Sequence, residues 1–495
     1  MHLTLKRQSS TPLHVQITQQ LRECILKGVI PEGGRLPPTR SLAQVLRVNR
    51  NTVTQAYNTL WSEGLVEGQV GRGTIVRHSS EQKEGPVSPL SWEMVIASHG
   101  DALEHEVGEL VRLFAREDLI SFAAGLPAPD LYPIEEVAEI ARDLLVHEGR
   151  TLLQWCAVEG YLPLRQFLGE RIPGLSSRNV LVLSGSTEGL YLLAHILLGP
   201  GDSVVVEAPT YLGALQTFRA AGARLIGIPI EREGMDLEML ENVLARTSPK
   251  FIYTLPTFQN PTGFTMSLER RRKLLALAHH YRVPVVEDDP YGLLRYGGEA
   301  LPSLRALDTH GYVIYLSTFS KILFPGLRVG WLAAPERLFK RLVSAKYLLN
   351  LFTNSLSQAV IAQFWQRGLL DQHLQKVCRV YRERRDRMIK VLGKYCEGIS
   401  VAAPEGGYSL WPKLPEGVAA RTLLQEALQE RISFVIGEVF YSDGRGQDRI
   451  RLNFTAQPPE QIEEGIKRLG RALKRVRRKR VEEETREEAF IKPIV

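Results

Sequence analysis

Lys321 lies in the stretch STFSKILFPGLRVG (317–330), behind an apolar run and ahead of a Pro-Gly-Leu-Arg turn. Most lysines mark a solvated surface, whereas one behind a buried strand can offer its amine to a carbonyl. Other polar groups precede it in order. Ser184-Gly185-Ser186-Thr187 follows an apolar run and opens a helix expected to reach Leu198. There, hydroxyls and backbone N–H groups meet the positive helix end, where a phosphate is welcome. Tyr211 ends EAPTY and offers a ring, and Asn260 begins NPTG and offers an amide. Asp288, in VEDDPYG, ends a strand where an unpaired carboxylate is costly. Asp289 is its rival, but the spacing to Tyr291 favours Asp288. Thr318 and Ser320 add hydroxyl donors for a phosphate, and Arg328 adds a charge-assisted clamp.

These parts match what holding pyridoxal 5′-phosphate (PLP) demands: an anion site for the phosphate, an acid beside the pyridine nitrogen, a stacked ring and a lysine for the aldehyde. Tyr211 would stack, Asn260 would donate to the phenolic oxygen, and Asp288 would pair with the protonated pyridine nitrogen. The elements that position them are legible too. Val180–Leu183, Ser203–Glu207, Phe251–Leu255, Pro284–Glu287 and Val313–Leu316 are short β-branched runs separated by helical stretches. Such alternation implies a mostly parallel sheet covered on both faces, with ligand groups at the carboxyl ends of the strands.

Residues 1–77 carry ten Lys or Arg against four acids, nearly all of the chain's net charge of +7. Charge alone is usually a solvated face; a basic stripe on a suitable fold attracts polyanions. The pattern predicts a helix from Leu13 to Lys27 and a second over Arg40–Leu46 with Thr39 as N-cap. A third is capped by Asn49 and buries Val53, Ala56, Tyr57 and Leu60, and a hairpin follows around Gly68–Gly73. Three helices and a hairpin make a winged helix-turn-helix, whose third helix enters the major groove of double-stranded DNA by its N-terminal residues.

The stretch from Thr11 to Val76 closely resembles the GntR family of DNA-binding domains. The resemblance implies a DNA-contact surface of Arg40, Asn49, Arg50, Asn51, Thr52, Thr54, Gly71 and Arg72. Arg47 stands where that family usually has Gly, and Asn49 where it usually has Ser or Thr. Residues 118 to about 475 resemble fold-type I PLP enzymes, the aspartate aminotransferase superfamily, with a smaller C-terminal α/β subdomain over roughly 345–475. Joined to the head, the whole looks like the MocR subfamily of regulators. The resemblance implies Ser186 and Thr187 on the phosphate, Asn260 and Tyr291 on the phenolic oxygen, and Lys321 in the Schiff base. It also implies Arg451, in RIRLNF, on an amino acid's α-carboxylate, a task suited to a planar fork. In WCAVEGYLPLR (155–165), Trp155 replaces a tyrosine that in the family reaches the phosphate of the neighbouring subunit. The implied assembly is a homodimer with its sites at the subunit interface.

The expected organisation is therefore a head (1–77), a Ser/Pro/Gly-rich linker (78–117), a PLP-binding domain (118–475) and a charged tail (476–495). In the tail region, RALKRVRRKR gives way to VEEETREEAF. The expected function is transcriptional regulation by a sensed amine, amino acid or PLP itself, with repositioning of the heads on closure of the small subdomain. Amino transfer between amino acids and 2-oxo acids is the alternative, as main or residual activity. The four cysteines have no partner at metal-ligand spacing, so no metal is expected and a reducing cytoplasm fits. No stretch has the apolar length of a membrane span, so no membrane partner is expected either.

Overall fold

Three helices, Leu13–Leu26 (α1), Thr39–Leu46 (α2) and Arg50–Ser62 (α3), precede a hairpin of Val66–Gln69 (β1) and Gly73–Val76 (β2). Ile17, Leu21 and Ile25 of α1 recur at helical spacing. They bury against Leu42 and Ala43 of α2, the apolar face of α3, and Val66 and Val76 of the hairpin. The Tyr57 hydroxyl donates to the Pro37 carbonyl at 2.7 Å, tying α3 to the entry of α2. Asn49 caps α3, its side chain accepting from the Asn51 amide at 2.9 Å. Thr39 is not a cap: Pro38 holds the N-cap position of α2, and its carbonyl takes the Leu42 amide. The extended Pro37-Pro38 pair delivers the chain to the helix with φ preset, so Thr39 falls inside the first turn.

The computed structural model describes residues 3–7, 11–31, 33–69, 73–77 and 118–491. Gly71, Arg72 and the expected linker lie outside them. The chain divides into two units, Met1–Ile96 and Ala97–Val495.

Among the described residues the larger unit starts with Ile120–Ser121 (β3), and it is built on an eight-stranded sheet. Its members are Val180–Leu183 (β4), Ser203–Ala208 (β5), Arg224–Glu231 (β6), Gly234–Met235 (β7), Ile252–Thr254 (β8), Val285–Asp288 (β9), Val313–Thr318 (β10) and Gly330–Ala333 (β11). The order is β4-β11-β10-β9-β8-β5-β6-β7, and β10, β9, β8, β5 and β6 run parallel. β11 is antiparallel to both neighbours because the chain returns from β10 without a crossover long enough for a parallel pair. β6, β7 and β11 are not among the five runs named from the sequence: β6 carries Arg224 and Pro229, β7 is only Gly234–Met235, and β11 opens on Gly330, so none reads as a clean apolar run. Apolar side chains cover both faces. Val180 and Val182 pack to one side, Leu181 and Leu183 to the other.

After the long helix Leu369–Tyr395 come Ser409–Leu410 (β12), Ile432–Ser433 (β13), Val435–Ile436 (β14) and Ile450–Asn453 (β15). β15 lies between β12 and β14, while β13 pairs with β3. The final helix, Pro459–Ile491, runs unbroken through the 475/476 boundary expected for the tail, with Val476 buried. Arg471 and Arg475 pair with Glu430, and Lys479 pairs with Glu426, so much of the basic run serves the fold. No described helix is long and apolar enough to cross a membrane.

Arg47, at the C-cap of α2, adopts φ 52°, which explains why glycine suits this position. Arg47→Gly should stabilise the head by about 1 kcal/mol, measured as a rise in its unfolding midpoint in the full-length protein.

Candidate cofactor site and DNA-facing surface

A cavity of about 320 Å³ opens at the carboxyl ends of the parallel strands. Ser186, Tyr211, Asn260, Asp288, Tyr291, Thr318, Lys321 and Arg451 line it, eight of the residues named from the sequence. They come from the ends of several different strands and the segments just beyond them, β9 and β10 supplying two each, as the open α/β architecture requires.

Asp288 is the last residue of β9 and is buried. Its Oδ2 accepts the Tyr253 hydroxyl at 2.6 Å, while its Oδ1 has no hydrogen-bond partner. Burial pushes its carboxyl up to about 7, and the Tyr253 hydrogen bond acts against that rise. A cationic N–H donor in the cavity would satisfy the orphaned oxygen and hold the group ionised.

Lys321 stands in the short helix Phe319–Ile322, and its Nζ donates to the Gly125 carbonyl at 2.6 Å. Burial, then the positive Arg451 and Arg328, push its amine down to about 8, with Asp288 opposing. The Tyr408 hydroxyl donates to the Lys321 carbonyl, and the Tyr408 ring lies 6.0 Å from Nζ.

The helix Ser186–Leu197 opens with Ser186 in its first turn and Gly185 at φ 106° as N-cap. Arg328 donates to the Ser184 carbonyl at 2.7 Å and packs against Gly185, where a β-carbon would strike its guanidinium. Arg328 is exposed and fixes the loop at this edge. Thr187 lies beside the Tyr211 hydroxyl, while Ser186 faces the cavity. Thr318 accepts the Ser320 amide at 3.1 Å and links to the Ser320 hydroxyl at the same distance.

Arg451 comes from β15, the middle strand of its sheet, and is buried. Its guanidinium donates to Asn260 Oδ1 at 3.1 Å and to the Ala123 carbonyl at 2.7 Å, and it lies 5.0 Å from the Phe440 ring centroid. Its Nε has no partner. With Oδ1 so engaged, Asn260 has its amide N–H groups to donate. Asp289, the rival of Asp288, does not face this cavity; its Oδ2 accepts the Tyr315 hydroxyl at 2.9 Å on the other side of the strand end.

The orphaned acid, the depressed lysine and the hydroxyl-bearing helix start fit PLP. Sequence reasoning missed Tyr253, Gly125 and Tyr408, which hold the acid and the lysine. Tyr253 reads as one more apolar strand residue, and Gly125 lies 196 residues from its partner. His279, Asp308 and His310 also bring potential ligand atoms within 4.8 Å of one another. The Asp308 oxygens are already engaged by the backbone amides of His310, Gly311 and Val313.

In the head, Arg40 is exposed in the first turn of α2, Asn49, Arg50 and Asn51 are exposed at the start of α3, and Thr52 and Thr54 are half-buried there. The Thr54 hydroxyl donates to the Arg50 carbonyl at 3.1 Å.

From the Lys321 environment, amine-directed labelling of cofactor-free protein should reach half its maximal rate at Lys321 near pH 8, well below the ordinary lysine value of 10.5. Mass spectrometry of the labelled peptides across pH checks this.

Residues 117–469 match the family of class I and II aminotransferases, and residues 13–76 match the gntR family of bacterial regulatory proteins. The uncharacterized HTH-type transcriptional regulator YisV of Bacillus subtilis is 31% identical, over 95% of this chain and 98% of its own. The probable rhizopine catabolism regulatory protein MocR of Rhizobium meliloti is 29% identical, over 95% and 96%. Among solved structures, LysN, the α-aminoadipate aminotransferase of Thermus thermophilus complexed with N-(5′-phosphopyridoxyl)-L-leucine, superposes with a TM-score of 0.74. It is 39% identical and covers 78% of this chain and 98% of its own. With a gntR-family head and a class I and II aminotransferase body on one polypeptide, the chain belongs to the MocR-type transcriptional regulators, whose cofactor is PLP.

Proposed function

We propose that this regulator is a cytoplasmic homodimer that binds an operator in double-stranded DNA through α3. An amine, an amino acid or PLP itself, acting at the Lys321 cavity, tunes that binding. The observation that carries the reading is the buried Asp288 Oδ1, unpartnered and facing the same cavity as a lysine whose amine is depressed to about 8. PLP supplies an aldehyde that captures amines and a ring that withdraws electrons.

The residues of this chain do the rest. Lys321 offers its amine to the aldehyde and afterwards holds or moves a proton at Nζ. Asp288 keeps the ring nitrogen protonated through Oδ1. Ser186, Thr187, Thr318, Ser320 and Arg328 receive the phosphate or shape its cradle, Tyr211 stacks, and Asn260 and Tyr291 orient the phenolic oxygen. Arg451 exchanges its present carbonyl and amide partners for the ligand's carboxylate. In the head, Arg40, Asn49, Arg50, Asn51, Thr52 and Thr54, with Gly71 and Arg72 from the sequence between β1 and β2, meet the DNA. The ligand changes DNA affinity only by as much as its own affinity differs between the two arrangements of the protein.

Support for the dimer comes from the apolar residues left uncovered on the body. Trp155 is 71% exposed and Leu348 85% exposed, and Leu153 and Tyr347 are exposed too. Trp155 meets Phe352 with ring centroids 5.5 Å apart. A second reading, amino transfer to a 2-oxo acid, is favoured by the set of Asp288, Lys321 and Arg451 facing one cavity. In that reading Lys321 is the general base.

Lys321→Ala should abolish the yellow absorbance, the borohydride-trappable adduct and any amino transfer. Basal operator binding, read by electrophoretic shift, should persist without a ligand response; loss of DNA binding by the folded variant contradicts the reading. Arg50→Ala should weaken operator binding by roughly 1–3 kcal/mol at fixed salt while leaving the cofactor absorbance unchanged.

A further inference from the structure

A second cavity of about 270 Å³ lies behind the cofactor cavity, and Pro290 lines both. The two stand back to back because consecutive residues turn opposite ways. Asp288 faces the first cavity and Asp289 the second; Thr318 faces the first and Ser317 the second.

The second cavity repeats the polar arrangement of the first. A tyrosine hydroxyl fixes one oxygen of each aspartate: Tyr253 binds Asp288 at 2.6 Å, and Tyr315 binds Asp289 at 2.9 Å. In each, the other oxygen is buried and has no hydrogen-bond partner, although the Gly292 amide lies against the Asp289 carboxylate. Trp331 also lines the second cavity, and its buried Nε1 is unpartnered as well. Most of the remaining wall is apolar, and Arg295, with 15% of its side chain exposed, completes it.

An apolar chamber with a few convergent polar groups is the form of a small-molecule site, and its volume suits a ligand of amino-acid size. The Asp289 oxygen calls for a cationic donor. Arg295 Nη1 already donates to the Gly297 carbonyl and the Glu405 carboxylate, which leaves its other N–H groups, with the Trp331 N–H, for an acceptor, and the apolar wall calls for an aliphatic body.

We propose that this cavity is a second ligand site, distinct from the Lys321 cavity, and that it takes an amino acid with an apolar side chain. Its ammonium sits at Asp289 and its carboxylate at Arg295 and Trp331. Through the shared Pro290 and the adjoining Asp288-Asp289 and Ser317-Thr318 pairs, occupancy bears directly on the cofactor cavity. The regulator would thus read an amino acid that never meets the cofactor.

The test is calorimetric titration of full-length, PLP-loaded protein, reduced with borohydride so that Lys321 cannot exchange its partner, using L-leucine as the probe. Saturable binding is expected, and it should persist in a reduced Arg451→Ala variant. 4-Methylpentanoate, which lacks the ammonium, should bind at least about ten-fold more weakly. Asp289→Asn should cost leucine a similar factor. Ala306→Trp, filling the cavity from its wall, should abolish binding without altering the cofactor absorbance. Absence of leucine binding to the reduced protein, equal binding of 4-methylpentanoate, or binding that survives Ala306→Trp and disappears in Arg451→Ala would each overturn the proposal.

Discussion

A carboxylate at the end of a buried strand, with one oxygen held and the other left bare, is the constraint on which the body of this protein turns. Asp288 closes β9, which runs between β8 and β10 in the interior of the sheet. It is buried, and that burial pushes its carboxyl up to about 7. Tyr253, from the adjacent β8, spends its hydroxyl on one oxygen and thereby aims the other at the cavity. The cost of that bare oxygen is what a cationic ring nitrogen offsets, so the fold carries a desolvation penalty whose relief is cofactor binding.

Around this point the chain closes a ring of contacts between distant segments. Gly125 and Ala123, just after β3, accept from Lys321 and Arg451 respectively. Arg451 in turn donates to Asn260, in the loop beyond β8. Tyr408, next to β12, donates to the Lys321 backbone. The small C-terminal sheet and the segment around residues 123–126 therefore meet the large sheet through the cavity itself. A ligand that displaces one of these hydrogen bonds acts on the junction between subdomains, which is the physical route by which binding becomes a change of shape.

Much of this is legible from local pattern. The head is a short-range problem: Ile17, Leu21 and Ile25 at helical spacing, Asn49 as a cap and a Gly-rich hairpin each speak for themselves within a few residues. Thr39 shows where the local signal misleads, since a residue type that favours caps was displaced by the stiffness of Pro37-Pro38. In the body, the purely apolar strands declare themselves, whereas β6 and β11 do not. Their polar, proline and glycine residues are tolerated only because of where the sheet places them.

Residue order by itself determined the two-part architecture and singled out Lys321, Asp288 and the hydroxyl-bearing loop Ser184–Thr187, because each is a local motif whose chemistry depends on its immediate neighbours. Tertiary structure alone decided that Asp289 turns to a different cavity from Asp288, which tyrosine steadies each, and that Gly125 holds the amine. It also decided that a second chamber lies behind the first, and that the charge switch after residue 480 rides on one continuous helix. These depend on contacts between residues tens to hundreds of positions apart, and such contacts are set by strand order and side-chain direction in the folded sheet rather than by spacing along the chain.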